Sequence, residues 1–410
     1  MLTIFRNEKF GRPRLIAGAL LLAFLIQCGM LVNHQAKVGS VGREEAARIS
    51  KGLRLWGRAE GMQPVEELRS VEDTRWEDSP TSPEGSDSYH SALHFLIAAA
   101  PLAIFPPSFS NSMSHWIWLA RVPYLIFGAL LGASLWYVSH RLYGNTGGYV
   151  ALGLYCFCPA MIRTSAVWNT QPEMGAAWGA FGAIFTAIAV SHTLYAPREV
   201  VLWNWRRIVL LGVSLSLAIG SQFSLIIIVP VVLGFLIYLA PERRLAALTI
   251  WAAACVMGAV LLAASYGFRP DLIGQAISQG RFFEFSVRAL GMTGNYRRLL
   301  AEIGQACPAL LLGVPAALST YFLWSRARYF GNTAPLMMAG LFLLLGLADP
   351  HYPGLGFRLT AIPFLFLFVA GVLSDLAETS YKGLVLGSAW GLLGPYAAWN
   401  LMELARVLST

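Results

Sequence analysis

The chain is short of charge. Only 13% of its 410 residues are Asp, Glu, Lys or Arg, against about 25% in a soluble domain. So little polar surface excludes a string of soluble domains. Hydrophobic residues make up 56% of the chain and mean hydropathy is +0.56. They gather in repeated runs of about 20, enough to cross the hydrocarbon of a bilayer. Cysteine is scarce as well. Cys28, Cys156, Cys158, Cys255 and Cys307 lie in or beside apolar runs and form no pair of CxxC motifs, which excludes a thiolate metal site of that type. Cys156 and Cys158 flank Phe157 and point to different faces of a predicted helix. All five read as small apolar filler. No basic arm interleaved with aromatics is present, so the net charge of +8 is not read as affinity for nucleic acid. Lys and Arg sit mostly between apolar runs, where they orient a membrane protein and meet lipid phosphates. No convincing internal repeat is visible.

What is present is a series of apolar runs, which predicts spans at about 14–33, 116–138, 148–165, 174–193, 207–220, 223–240, 245–265, 308–325, 333–348, 359–374 and 383–400. The fold class expected is all-α: one polytopic membrane helix bundle over 1–410, of about eleven spans. The basic start "MLTIFRNEKFGRPR" leads into Leu15–Val32, a run with no A-x-A site after it and only a weak lipoprotein-like "LIQC". The expectation is an uncleaved first span with its N-terminus in the cytoplasm of the inner membrane. Short loops then carry Arg141, Arg198, Arg206, Arg207, Arg243, Arg244, Arg326, Arg328 and Lys382 on the inside, against Arg358 alone outside, as the positive-inside rule requires. Two long loops, 34–115 and 266–307, fall outside. The segment Ser91–Phe105 is apolar but short and ends in Pro106-Pro107, which predicts a re-entrant or interfacial helix.

The first long loop has two parts. Residues 43–58 are predicted to be an interfacial helix, with Ala46, Ile49, Leu53 and Trp56 on one face and Arg48, Lys51, Arg54 and Arg58 elsewhere around it. Residues 60–88 are acidic and rich in Ser and Pro, a solvated connection. Under this topology the unusual polar residues share the outer side: Glu44 and Glu45 after the first span, Glu173 opening the fourth, His351 and Arg358 before the tenth, and Arg281, Arg288, Arg297 and Arg298 in the second long loop. Each also has a plainer reading. Glu44, Glu45 and Glu173 suit the N-terminal dipole of a helix. His351 suits a loop. Arg358 suits snorkelling to the headgroups, and the loop arginines suit anionic lipid.

At these residues the chain resembles the GT-C-type integral-membrane glycosyltransferases, the superfamily of protein O-mannosyltransferases and lipid A aminoarabinose transferases. Those proteins follow a first span with an Asp-Glu pair opening a helix. Here "EEAARISKGLRLW" stands there, with Glu44 in place of the Asp and Glu45 at the Glu. "DSYHSALHFLIAAAPLAIF" stands where the family has a Pro-Pro segment and a short apolar helix, without the Pro-Pro. The Arg-led and Gly-led spans match "ARVPYLIFGALL" and the residues up to Pro159, the second acidic residue matches Glu173, and "FRLTAIPF" matches the family's Arg ahead of a Pro-containing helix at Arg358. The likeness covers roughly Arg14–Phe235.

The resemblance implies transfer of a sugar from a polyprenyl-phosphate carrier to an acceptor hydroxyl (protein, lipid or glycan) outside the cytoplasmic membrane, with inversion. Such chemistry needs a base for the acceptor proton and cations for the leaving phosphate. Glu44, with Glu45 and Glu173, is the expected acidic machinery. Arg358, Arg297, Arg298 and His351 are the expected donor-phosphate ligands, since guanidinium matches phosphate at two points. Carboxylates could hold Mg²⁺ or Mn²⁺, but the basic surroundings favour a site without metal or other cofactor. A transporter or flippase of a lipid-linked substrate and a non-catalytic membrane scaffold are the rival readings.

Overall fold

In the computed structural model of the protein, residues 13–38, 43–57, 88–106, 112–167, 173–195, 205–282, 285–349, 352 and 354–409 are described, apart from the side chains of 13, 43, 44 and 46. Among the described residues there are helices and no strand. The acidic stretch, except Ser88, lies outside the described residues, as does His351.

In chain order the helices are α1 (Pro13–Val38), α2 (Arg43–Leu55), α3 (Ala92–Ile104), α4 (Met113–Cys156), α5 (Pro159–Ala166), α6 (Met174–Thr193), α7 (Trp205–Ser221), α8 (Ile228–Leu239), α9 (Arg244–Ser265), α10 (Pro270–Gln279), α11 (Val287–Leu290), α12 (Thr293–Ala306), α13 (Pro308–Leu323), α14 (Phe330–Ala348), α15 (Phe357–Ala377) and α16 (Lys382–Ser409). Six of them, α1, α4, α6, α9 (with the turn before it), α14 and α15, are long and apolar enough to cross a membrane. A seventh joins them if α12 and α13, bent by 114° at their junction, form one broken span. Large apolar side chains cover the outside: Leu245 is 83% exposed, Leu312 68% and Leu323 87%. A surface of that kind calls for lipid. This is an all-α, multi-pass membrane protein.

The predicted spans 116–138 and 148–165 meet in one 44-residue helical run, α4, interrupted at Gly144 (φ 72°, ψ −163°). At 1.5 Å per residue that run would exceed about 60 Å if straight; the left-handed glycine divides it into a long piece before Gly144 and a short piece, 145–156, after it. The short segment before Pro106 is helical for only 13 residues, as its length foretold. The second long loop holds three short helices, α10 to α12.

Two compact units form: Met1–Leu31, Leu125–Met174 and Phe285–Thr410 make the first, and Val32–Tyr124 with Gly175–Glu284 the second. In the first, α15 is the central element, with nearly every residue from Phe357 to Val372 buried. Gln27 of α1 donates to the Cys156 carbonyl at 3.2 Å, and Phe24 packs on Tyr155. The five cysteines carry no disulfide, and four are buried.

In the second unit, small residues let helices approach. A methyl on Gly179 of α6 would meet the backbone of Ser214 and Ala218 on α7, and one on Gly52 of α2 would collide with the Phe95 carbonyl and Ala99 of α3. Helices that cannot gain from a water-driven hydrophobic effect associate through such close contacts. Gly179→Ala should therefore lower stability by about 1–3 kcal/mol, since backbone cannot yield as a side chain can. Gly18→Ala, where nothing lies within 4 Å, should be neutral or slightly stabilising. Thermal unfolding of both variants in one detergent checks the contrast, and equal melting temperatures would contradict it.

Candidate functional site

The second unit carries a deeply buried ion pair. In α2, residues four apart share a face, and Glu45, Ile49 and Leu53 are 4%, 0% and 4% exposed. Ile49 and Leu53 of the expected face are thus buried, and Glu45 joins them on that stripe; the side chain of Ala46 lies outside the described residues. Trp56 is half exposed, with its indole N–H on the Leu96 carbonyl at 2.9 Å. Glu45, not a solvated dipole partner, is the carboxylate described at the chain's exit from α1. The Glu44 side chain lies outside the described residues.

Glu45 meets Arg121 of α4. The Arg121 Nη2 lies 3.2 Å from Glu45 Oε2, and the guanidinium is 2% exposed. Among the described residues, Arg121 Nε and Nη1 have no hydrogen-bond partner. Buried donors of this kind are ordinarily satisfied by water or a ligand. The charges of Arg48 and Glu45 act on the buried phenol of Tyr124, one turn after Arg121. His94 lies 6.4 Å from the Tyr124 ring and stacks on His90, centroids 4.5 Å apart.

Backbone bonds hold the histidines. Ser91 caps α3, accepting from the Leu93 N–H at 3.2 Å, and its own N–H and hydroxyl both donate to the Gly220 carbonyl at 2.9 Å. Phe223 N–H donates to the Tyr89 carbonyl, and Arg281 N–H to that of Ser88. The Arg281 guanidinium donates to the Tyr89 hydroxyl at 2.8 Å. Residues 88–91 are thereby tied to the break between α7 and α8, where Gln222 is extended and buried.

The first unit holds the other expected residues. Glu173, 2% exposed, stands just before α6, and its Oε2 accepts the Gly356 N–H at 2.5 Å. Arg358 is also buried, so it does not snorkel. Its Nη1 pairs closely with Glu302 of α12, which also accepts from Arg298 Nε at 2.8 Å. The structure thus joins Arg358 and Arg298 through Glu302, in a cleft of about 10 Å³ lined also by Asn295 and Gly346. Room for one water at most is left there. Arg297 and Arg288 are exposed. Among the described residues no three His, Cys, Asp or Glu side chains cluster as metal ligands.

Sequence reasoning gave no role to Arg121, Glu302, His90, His94 or Tyr124. Arg121 had a signal: a lone arginine inside an apolar run, where ionisable groups are costly. The i, i+4 repeat of Glu45, Ile49 and Leu53 was a second. No family model matches the chain, and no curated protein or solved structure matches it.

The buried pair has a measurable consequence. Arg121→Met alone leaves Glu45 uncompensated and should cost about 3–5 kcal/mol, whereas Glu45→Leu with Arg121→Met should be close to neutral. Denaturant unfolding of the two variants in detergent tests this, and a double variant as unstable as the single would refute the pairing. Gly356 has φ +50°, and a methyl there would strike the Tyr352 ring. Gly356→Ala should cost about 1–3 kcal/mol of stability, read as a lowered melting temperature, while the neutral control Gly18→Ala keeps its own.

Proposed function

We propose that the protein is a GT-C-type membrane glycosyltransferase that moves a sugar from a polyprenyl-phosphate carrier to an acceptor hydroxyl on the extracytoplasmic side. In this proposal it lies in the cytoplasmic (inner) membrane with its N-terminus inside and about eleven spans. The observation that carries the reading is the buried Glu45–Arg121 pair, whose carboxylate lies on the short helix that follows the first apolar helix. A carboxylate able to take a proton and a guanidinium able to meet a phosphate are held together there.

The chemistry follows from the pair. The acceptor oxygen attacks the anomeric carbon as its proton passes to a carboxylate of the Glu44–Glu45 pair. The bond between that carbon and the carrier phosphate breaks, the phosphate leaves on the lipid, and the anomeric configuration inverts. Arg121, with two donors not engaged within the described residues, stabilises charge that develops on the phosphate, most strongly where water is excluded. A phosphate that draws Arg121 away from Glu45 removes the positive charge that favours the ionised carboxylate. That raises the basicity of Glu45 when a proton must be taken. Arg358, Arg297, Arg298 and His351 stay proposed as donor-phosphate ligands on the strength of the sequence resemblance. Glu173 is already committed to Gly356, so its part is to position that loop.

A second reading has its own support. The 114° break between α12 and α13 and the break between α7 and α8 are features of transporters. One experiment separates the readings. The purified full chain, reconstituted with a panel of polyprenyl-phosphate sugars, should release free polyprenyl phosphate. Glu44→Gln or Glu45→Gln should slow this at least about 100-fold while carrier binding persists. Movement of carrier between leaflets without any cleavage, unchanged in both variants, would favour transport instead.

A further inference from the structure

A cavity of about 500 Å³ opens within the first unit between α1 and α16. Its lining is apolar, with Ile26 and Met30 from α1 and Leu404 and Leu408 from α16, apart from Gln27 and Ser409. A second cavity, of about 190 Å³, shares Phe157 with the first and carries Ile16 and Leu20 of α1 with Leu393 and Ala397 of α16. The two follow both helices in the same direction from Ile16 to Met30, a rise of about 21 Å. Among the described residues no Asp, Glu, Lys or Arg lines either one. Ile26 and Met30 are half-exposed, so the groove opens on the surface that calls for lipid. A long, narrow, uncharged groove suits a hydrocarbon chain and not a sugar or a headgroup.

One polar group in that lining is unanswered. Gln27 is 3% exposed and lies near the middle of the 26-residue α1. Its Nε2 donates to the carbonyls of Ala23 and Cys156, both at 3.2 Å. Carbonyls only accept, so these two bonds fix which way the amide points. Oε1 is left as the acceptor, and among the described residues nothing donates to it. A buried acceptor without a donor is destabilising, and hydrocarbon offers no water to supply one. The Ser409 hydroxyl is already committed to the Arg406 carbonyl at 2.7 Å. The missing donor therefore has to come from whatever fills the groove. An ionised phosphate or carboxylate only accepts, and a plain acyl or isoprenoid chain does neither. A hydroxyl donates.

We propose that the groove between α1 and α16 is a binding site for a lipid that carries a hydroxyl in the middle of an acyl chain, with that hydroxyl donating to Gln27 Oε1. The hydroxyl must sit mid-chain because Gln27 sits mid-helix, far from the headgroups. The site goes beyond the glycosyl-transfer reading, which uses neither Gln27 nor this groove.

The full chain in detergent is titrated with three phosphatidylcholines that differ only in one stearoyl chain, which bears a mid-chain hydroxyl, a mid-chain ketone or neither. Polyprenyl phosphate is the fourth probe, and the thermal unfolding midpoint follows binding. The hydroxylated lipid should bind about tenfold more tightly than the other two, the upper range for one net hydrogen bond. The ketone has nearly the same shape but only accepts, so it separates hydrogen bonding from fit. Gln27→Leu should bring the three lipids to one affinity. Ala405→Trp, at an exposed position of the groove wall, should weaken all three alike, and it keeps the test decisive if Gln27→Leu does not fold. No saturable shift with the hydroxylated lipid overturns the proposal, as does a preference for it that survives Gln27→Leu. Equal affinity for hydroxyl and ketone in the wild type also overturns it and leaves water as the partner of Oε1. Displacement of the hydroxylated lipid by a lower concentration of polyprenyl phosphate overturns it too, and gives the groove to the carrier. A chain that selects the hydroxylated lipid yet cleaves no carrier upholds the site and removes only the glycosyl-transfer reading.

Discussion

The ion pair of Glu45 and Arg121 constrains the second unit more than any other contact described. Moving a carboxylate or a guanidinium out of water costs several kcal/mol even after relaxation, and mutual attraction offsets this only when both charges are held in good geometry. At 3.2 Å, with both side chains nearly inaccessible, neither residue tolerates loss of the other. The consequence is positional. A 13-residue helix such as α2 is marginal by itself, so it needs a platform, and α3 is that platform: Gly52 sits on the Phe95 carbonyl, while Ile49 and Leu53 fill the seam. The apolar seam supplies attraction without direction. The ion pair supplies direction, because a turn of α2 about its axis by one residue would swing Glu45 about 100° away and strand Arg121.

The first unit solves a similar problem for α15. Its N-terminal side lacks a side-chain cap of its own, and the donor just ahead of it, the Gly356 N–H, is taken by Glu173 from a segment 183 residues away in sequence. Arg358, the second residue of the helix, is matched by Glu302. At the far end Asp375 accepts from Asn332 at 2.7 Å, and the Ser374 hydroxyl donates to the Tyr143 carbonyl at 2.9 Å. An apolar helix buried along its length could slide, since one apolar wall resembles another. Polar contacts at both ends fix its register, where hydrogen bonds are electrostatically strong in a low-dielectric interior.

The apolar elements were legible in the sequence because their signal is local. The runs at 14–33, 333–348 and 359–374 fall within α1, α14 and α15, and the short apolar segment before Pro106 is α3. The helix at 43–58 was legible too, with Ile49 and Leu53 on its buried face as read, but Glu45 on that face was not. Ala46 made a better apolar repeat than Glu45, and nothing local says that a carboxylate goes inside. That information sits 76 residues away in Arg121. Glu302 was hidden for the same reason. It lies on an amphipathic helix inside what reads as a long loop, and its partner Arg358 is 56 residues further on. Gly144 hid the other way: its neighbourhood "RLYGNTGG" reads as a loop between spans, yet helix continues on both sides of a single left-handed residue.

The ion pair and a cavity of about 240 Å³ beside α2, α3 and α10 both draw on α2. With 100° per residue, Glu45, Ile49 and Leu53 form the inward line, and Lys51 and Leu55, four apart, form another that borders the cavity. Six residues separate Glu45 from Lys51, so the two side chains leave the helix about 120° apart. Each surface therefore limits the same rigid body.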